Sequence, residues 1–262
     1  MKKNLSLPYV TKKEFILGLI TTPIQLLFFA TSLVIADIVA KIVGLFSKEA
    51  VNTIFRWESN TVLYLLKFIS GAKFYFNTKN VKNLPKDRPI IIVSNHQSLY
   101  DTAIHNMFLR KHRLVYVAKT QLGKWIPTVS VCMRAQGAAL IDRENPKQSV
   151  LAIKKMGQRI QEEKRAVCIF SEGTRARDGK LKEFKDAGIK TLLKYAPDAI
   201  IVPAAIDGSW KTFAYKYFPV PFGIKIFVEY LDPIDAKDCD ISTITQILHD
   251  KVERKINEFR GF

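Results

Sequence analysis

The chain has 262 residues, of which 41 are Lys or Arg and 24 Asp or Glu, for a formal net charge of +17, with a pI near 9.7 and a mean hydropathy of +0.01. An apolar share of 48% excludes a disordered or fibrous chain, and the length leaves room for one large domain or a domain with an appendage. Near-zero hydropathy beside so large a charge means that apolar residues are concentrated in places, and the positive excess asks for an anionic partner: nucleic acid, an anionic lipid surface or a phosphorylated substrate.

The apolar excess sits at the front. Residues 15–36, FILGLITTPIQLLFFATSLVIA, carry no formal charge. At 1.5 Å per residue such a helix is about as long as a hydrocarbon core is thick, roughly 30 Å. Lys2, Lys3, Lys12 and Lys13 precede it, and Asp37 and Lys41 follow. A signal peptide fits poorly, because the apolar stretch is long and no small-residue cleavage site clearly follows. A spanning helix fits by length, against Pro23, Gln25 and the Thr and Ser positions. A helix lying in one leaflet, as half of a hairpin, fits equally well. Residues 54–69 offer the partner: Phe55, Val62, Leu65, Leu66 and Ile69 fall at helical spacing beside Arg56 and Lys67, with Trp57 and Tyr64 suited to an interface. The plain alternative is that both helices only pack on the rest of the protein; membrane attachment is expected, with its geometry open.

Near residues 70–73 the texture changes. That boundary divides an N-terminal membrane-associated helical segment, 1–72, from an α/β domain, 73–262, that ends in a helix. Strands are expected over 73–76, 90–94, 114–118, 138–141, 166–170, 199–206 and 225–230. Helices are expected over 101–109, 148–163, 187–195 and 241–259, the last with Ile244, Ile247, Leu248, Val252 and Ile256 on one face. Pro85, Pro197 and Pro233 fall in turns. Alternation of this kind predicts an α/β fold with a mixed, largely parallel sheet flanked by helices. Cys132, Cys168 and Cys239 match no zinc, redox or disulfide spacing, so reduced thiols in a cytosolic compartment are expected.

Two strand ends carry chemistry. After 90–94 comes Asn95-His96-Gln97-Ser98-Leu99-Tyr100-Asp101. The carboxyl end of a strand in an α/β sheet is where ligands bind. A loop of this length can bring Asp101 to one imidazole nitrogen of His96, leaving the other as a base. H-x4-D by itself is weak, and on spacing alone His96 as a loop residue with Asp101 as a helix cap stands beside that reading. After 166–170 comes Ser171-Glu172-Gly173-Thr174-Arg175, in which Gly173 permits close backbone approach and Arg175 offers a fork suited to phosphate. Arg177, Lys180, Lys182, Lys185 and Lys190 add charge downstream, mostly as a solvated face. Neither G-x-S-x-G, H-E-x-x-H nor a P-loop occurs in the chain.

Four blocks in this order resemble the lysophospholipid acyltransferase family, and within it the 1-acylglycerol-3-phosphate acyltransferases. They are NHQSLYD (95–101), GAALIDR (137–143), FSEGTR (170–175) and VPAAI (202–206), with AKTQL (118–122) similar to the family's A-K-x-E-L. The resemblance covers roughly 73–230. Ser171 stands where Pro is usual, Gln121 where Glu is common, and FKDAG (184–188) departs from F-K-x-G-A. The resemblance implies acyl transfer from a thioester to the sn-2 hydroxyl of lysophosphatidic acid, giving phosphatidic acid. His96 would be the base and Asp101 its orienting partner. Lys119, Arg143 and Arg175 would hold the phosphate, while Glu172, Gly173 and Thr174 shape its pocket. Backbone N–H groups near the first block are candidates for holding the thioester oxyanion.

A thioester is already activated, so no metal and no cofactor is expected beyond the acyl-CoA or acyl carrier protein co-substrate. The expected partners are a phospholipid membrane, lysophosphatidic acid and the acyl donor, with no nucleic acid. The expected location is the membrane, with the α/β domain facing the cytoplasm. Another lysolipid or glycerol-3-phosphate as acceptor, an acyl thioesterase, and a non-enzymatic basic lipid-binding protein remain as other readings.

Overall fold

The computed structural model describes residues 10–261; Lys2 and Lys3 of the basic flank lie outside them. The chain opens with α1 (Lys12–Gly44), whose N-terminus is closed by a capping box between Thr11 and Glu14. It runs through Pro23 unbroken and extends the apolar stretch at both ends. Three residues later, Ser47 caps α2 (Lys48–Phe68). Hydrogen bonds join Ser32 to Glu58 and Gln25 to Ser70, so the two helices form an antiparallel hairpin.

Among the described residues, α1 is the one helix long and apolar enough to cross a membrane by length and composition. Its packing is inverted relative to an ordinary surface helix. Gly18, Thr22, Gln25, Ala36 and Ala40 are its buried residues, whereas Ile20, Leu27, Phe28, Ile35, Ile38 and Ile42 are all more than half exposed. Small and polar residues face the protein and large apolar ones face out.

The α/β part proceeds as β1 (Lys73–Asn77), α3 (Lys79–Lys82), β2 (Ile90–Ser94), α4 (Tyr100–Leu109), β3 (Val115–Lys119), α5 (Val129–Gln136), β4 (Ala139–Ile141), α6 (Pro146–Glu163), β5 (Ala166–Phe170), α7 (Asp186–Tyr195), β6 (Ile200–Asp207), β7 (Lys225–Tyr230), β8 (Ile234–Asp235) and α8 (Ile244–Arg260). The sheet order is β1-β7-β6-β2-β5-β3-β4, with β8 on β6. All pairs are parallel except β6–β7 and β6–β8. β2 sits between β5 and β6, and every one of its residues is buried. Its alternation divides the core. Ile90 and Ile92 join the cluster beneath α2, α4 and α5, whereas Ile91 and Val93 join the cluster beneath α6, α7 and α8. Because α2 places Phe55, Val62, Leu63 and Leu66 in the first cluster, the helical hairpin shares a core with the sheet.

Of the N-terminal helices, α1 runs well past 15–36 and α2 starts well ahead of 54–69, whereas the strands and helices expected within 73–262 are present with bounds shifted by up to three residues. The largest of these latter shifts is at α8, where Asp240 folds 241–243 into a turn ahead of the helix. Three elements carried no readable pattern: α3, β8 and α5. VSVCMRAQ in α5 has poor helix propensity, and it is helical because Cys132 and Met133 bury against the first cluster. Cys132, Cys168 and Cys239 are free thiols. Burial pushes Cys132 up to about 12 and raises Cys168 well above the ordinary thiol range, which makes both unreactive.

Candidate active site

The parallel register gathers four strand ends at one edge. Ser94 of β2 lies opposite Phe170 of β5, Cys168 of β5 opposite Tyr116 of β3, and Lys119 of β3 opposite Ile141 of β4. The first block follows Ser94, the third follows Phe170, Lys119 ends β3, and Arg143 comes two residues after β4. Residues far apart in sequence therefore surround one crevice at the carboxyl edge of the sheet.

Within the first block, His96 Nδ1 lies 2.9 Å from Asp101 Oδ2. That oxygen also accepts from the backbone N–H groups of Gln97 (2.7 Å) and Ser98 (2.8 Å), while Oδ1 accepts from the hydroxyls of Ser98 (3.1 Å) and Ser209 (2.7 Å). Asp101 is completely buried. Burial pushes its carboxyl upward, but the bonds from His96, Ser98 and Ser209 outweigh it and hold the pKa below the ordinary carboxylate value. Asp101 therefore ties together the loop ahead of α4 and partners the imidazole; it does not cap the helix, whose N-cap is Leu99 with no side-chain cap hydrogen bond. With Nδ1 donating to a carboxylate, Nε2 carries the lone pair.

The third block holds His96 from below. Its backbone N–H donates to Glu172 Oε1 (2.6 Å), its carbonyl accepts from Ala176 N–H (2.7 Å), and its ring stacks on Phe170 at 3.9 Å. Glu172 is buried, and its second oxygen accepts from Lys182 N–H (3.1 Å). Desolvation pushes Glu172 up to about 7 despite those two donors. Glu172 thus ties two backbone segments together. Gly173 sits at φ +71°, against the Lys185 side chain. Ser171, where the family has Pro, donates its N–H to Ser94 O and leaves its buried hydroxyl without a partner. Asn95 is structural: its amide brackets the backbone of Ile206, accepting from the N–H and donating to the carbonyl, both at 2.8 Å.

A cavity of about 910 Å³ opens at His96. Lys119, Arg143, Gly173, Thr174 and Arg175 line it, joined by Arg177 and Lys185; Asp101 and Glu172 stand behind the lining. Lys119, Arg143, Arg175, Arg177 and Lys185 make one part of the lining cationic. Another part, from α1, α2, α5 and the turn after β3, is apolar, with Leu33, Phe55, Val62, Leu122, Val129 and Met133. The lining suits a ligand with an anionic head and a long apolar tail.

Sequence reasoning passed over Phe170 as a stacking partner, Ser209 as a fifth donor to Asp101, and Tyr217, whose hydroxyl accepts from Arg175 Nη1 at 3.0 Å. Ser209 opens a short 3-10 helix after β6 and Tyr217 lies in the turns that follow it, neither within a motif, so no sequence signal marks them. The backbone oxyanion site expected near the first block is not formed by residues 96–98. All three N–H groups are already bound, to Glu172 or to Asp101.

Comparison with known proteins places this geometry in context. Residues 76–207 match the Acyltransferase family, half of the chain. The chain is 32% identical over 173 residues to a 1-acyl-sn-glycerol-3-phosphate acyltransferase of Limnanthes douglasii, a match covering 63% of this chain and 58% of that protein. It is 26% identical over 191 residues to the protein of the same name from Haemophilus influenzae, covering 70% and 76%. Thus the chain spans less than two thirds of the Limnanthes protein's length. Among solved structures, the 1-acyl-sn-glycerophosphate (LPA) acyltransferase PlsC from Thermotoga maritima superposes with a TM-score of 0.75 at 21% identity, over 95% of this chain and 98% of that one, which shows a shared fold. With half of its length matching that family and its blocks gathered at one strand edge, the chain belongs to the Acyltransferase family.

Proposed function

We propose that the protein transfers an acyl group from a thioester to the sn-2 hydroxyl of 1-acylglycerol-3-phosphate, giving phosphatidic acid. The observation that carries this reading is the His96–Asp101 pair, 2.9 Å apart, with His96 lining a cavity whose walls are part cationic and part apolar. The names of the relatives supply the acceptor.

In this reading the acceptor's phosphate meets Arg175, Lys119 and Arg143, and an acyl chain lies against the apolar part of the lining. His96 Nε2 takes the proton of the acceptor hydroxyl as its oxygen attacks the thioester carbonyl. Asp101 stabilises the imidazolium that forms. The tetrahedral intermediate collapses, the C–S bond breaks, and the thiolate leaves with the proton held on Nε2. Positioned base catalysis of this kind is worth roughly 10²–10⁴ in rate. The donor is acyl-CoA or acyl carrier protein, and no metal or further cofactor takes part.

The large apolar residues of α1, with Trp57, Tyr64 and Phe68 of α2, support docking of the hairpin in one leaflet, and the three free cysteines support a reducing, cytoplasmic side for the α/β domain. α1 contacts the protein at positions spread along its length, from Gly18 to Ala40, which favours lying along the bilayer over crossing it.

The test is acyl transfer from labelled acyl-CoA by wild type and His96→Ala, with lysophosphatidic acid, glycerol-3-phosphate, lysophosphatidylcholine or no acceptor. Phosphatidic acid formed by wild type from lysophosphatidic acid, and lost in the variant, is expected. Another preferred acceptor replaces the substrate. Free fatty acid without acceptor makes the protein a thioesterase, and unchanged turnover in His96→Ala removes the base.

A further inference from the structure

We propose that Tyr217 is a positioning residue for the Arg175 guanidinium and that α1 holds Tyr217 in place, so that the apolar helix forms the back wall of the anion clamp. The inference rests on the proposed role of Arg175 in gripping the acceptor's phosphate.

Tyr217 lies in the irregular segment between β6 and β7. Its hydroxyl accepts from Arg175 Nη1 at 3.0 Å, and both residues line the cavity. Arg175 hangs from a turn just past the glycine of the third block, on a long side chain with many rotamers. A fixed acceptor for one nitrogen leaves the remaining guanidinium donors pointing in a defined direction, which is what a planar fork needs to meet phosphate. The ring of Tyr217 is itself held edge-on by Phe213 at 4.5 Å, and Phe213 carries the Arg177 guanidinium at 4.2 Å.

The backbone that delivers Tyr217 is strained. Lys216 and Tyr217 are consecutive non-glycine residues with φ of +54° and +71°. Such a pair persists only where the surroundings over-determine it, and strain of this kind concentrates at functional sites.

What over-determines it is α1. Thr22 is fully buried; its hydroxyl accepts from Val220 N–H at 2.8 Å and donates to Val220 O at 3.3 Å. Phe222 N–H donates to Glu14 O at 3.0 Å, and Phe15 packs edge-on against Tyr215 at 5.1 Å. At Gly18 a Cβ would lie 2.5 Å from Val220 O, so only glycine lets helix and segment approach this closely. The segment is fastened to the helix on both sides of Tyr217. These contacts explain why a helix with so apolar an exterior keeps Gly18 and Thr22 on its inner face.

The experiment measures acceptor and donor KM with the full-length protein on phospholipid vesicles, for wild type, Arg175→Ala, Tyr217→Phe, Thr22→Val and Thr22→Ser. Tyr217→Phe deletes one oxygen and should raise the KM for lysophosphatidic acid roughly ten- to a hundredfold, the range expected for one hydrogen bond to a charged group, with the donor KM unchanged. Thr22→Val should move the acceptor KM in the same direction and Thr22→Ser should restore it. A purely structural role for Thr22 would lower the melting temperature and leave the ratio of the two KM values alone, which overturns the part assigned to α1. If Arg175→Ala raises the acceptor KM and Tyr217→Phe does not, the positioning role fails by itself. Should Arg175→Ala leave the acceptor KM unmoved, the phosphate clamp falls and this inference with it.

Discussion

Replacing Asp101 with Asn isolates the charge of the carboxylate from its shape. Five donors converge on the two oxygens: Oδ2 takes the His96 ring and two backbone N–H groups, and Oδ1 takes two hydroxyls. An amide satisfies the same arrangement when its oxygen replaces Oδ2 and its NH₂ faces the hydroxyls, which can rotate to accept. The fold and the His96 tautomer therefore survive, and what disappears is the negative charge that stabilises the imidazolium. At the 2.9 Å separation, with an effective dielectric near 20, that attraction is at most about 6 kcal/mol. Part of it returns as an ordinary hydrogen bond worth about 1 kcal/mol. The expected fall in kcat is therefore roughly 10²–10⁴, the range of a positioned base, with little change in acceptor KM. Steady-state acyl transfer, with circular dichroism melts of both proteins, measures both. A kcat within threefold of wild type refutes the catalytic reading of the pair; a matching loss of folded structure refutes the claim that the amide fits.

The high position of Glu172, about 7 against an ordinary 4.5, ties stability to pH. Its folded pKa is raised, so its contribution is fully present below pH 4.5 and is lost as pH rises through 7; the melting temperature should fall across that interval, and Glu172→Gln should flatten the fall while melting lower throughout. Leu27 and Ile38 are 66% and 53% exposed on the outer face of α1, so Leu27→Glu and Ile38→Glu should each weaken vesicle binding at least about tenfold, from about 1.5–3 kcal/mol of lost apolar burial per side chain, with the melting temperature unchanged. Trp125 is 96% exposed in a segment fastened to α1 by bonds from Thr128 to Asp37 and Leu33. Trp125→Ala should therefore weaken vesicle sedimentation in the same way, and unaltered sedimentation would place that loop away from the lipid.

Local chemistry made much of this protein legible from its sequence. The uncharged run of residues 15–36 marked a long apolar helix, the basis of the proposed membrane attachment, because exposure of so many large apolar side chains to water is costly. Alternation of short β-rich runs with helical patterns marked the α/β sheet, and the turns after β2 and β5 marked the site because chain chemistry changes abruptly there. Only the tertiary structure decided which residues meet. Parallel pairing of β2 with β5 brought Glu172 to the backbone of His96, 76 residues away. Packing put Ser209 on Asp101 and Tyr217 on Arg175, pairings that no spacing encodes. The small and polar residues of α1 read in sequence as weaknesses in an apolar helix. In the fold they are the face that grips the protein, because a helix shows its neighbours only one side at a time and sequence does not say which neighbours those are.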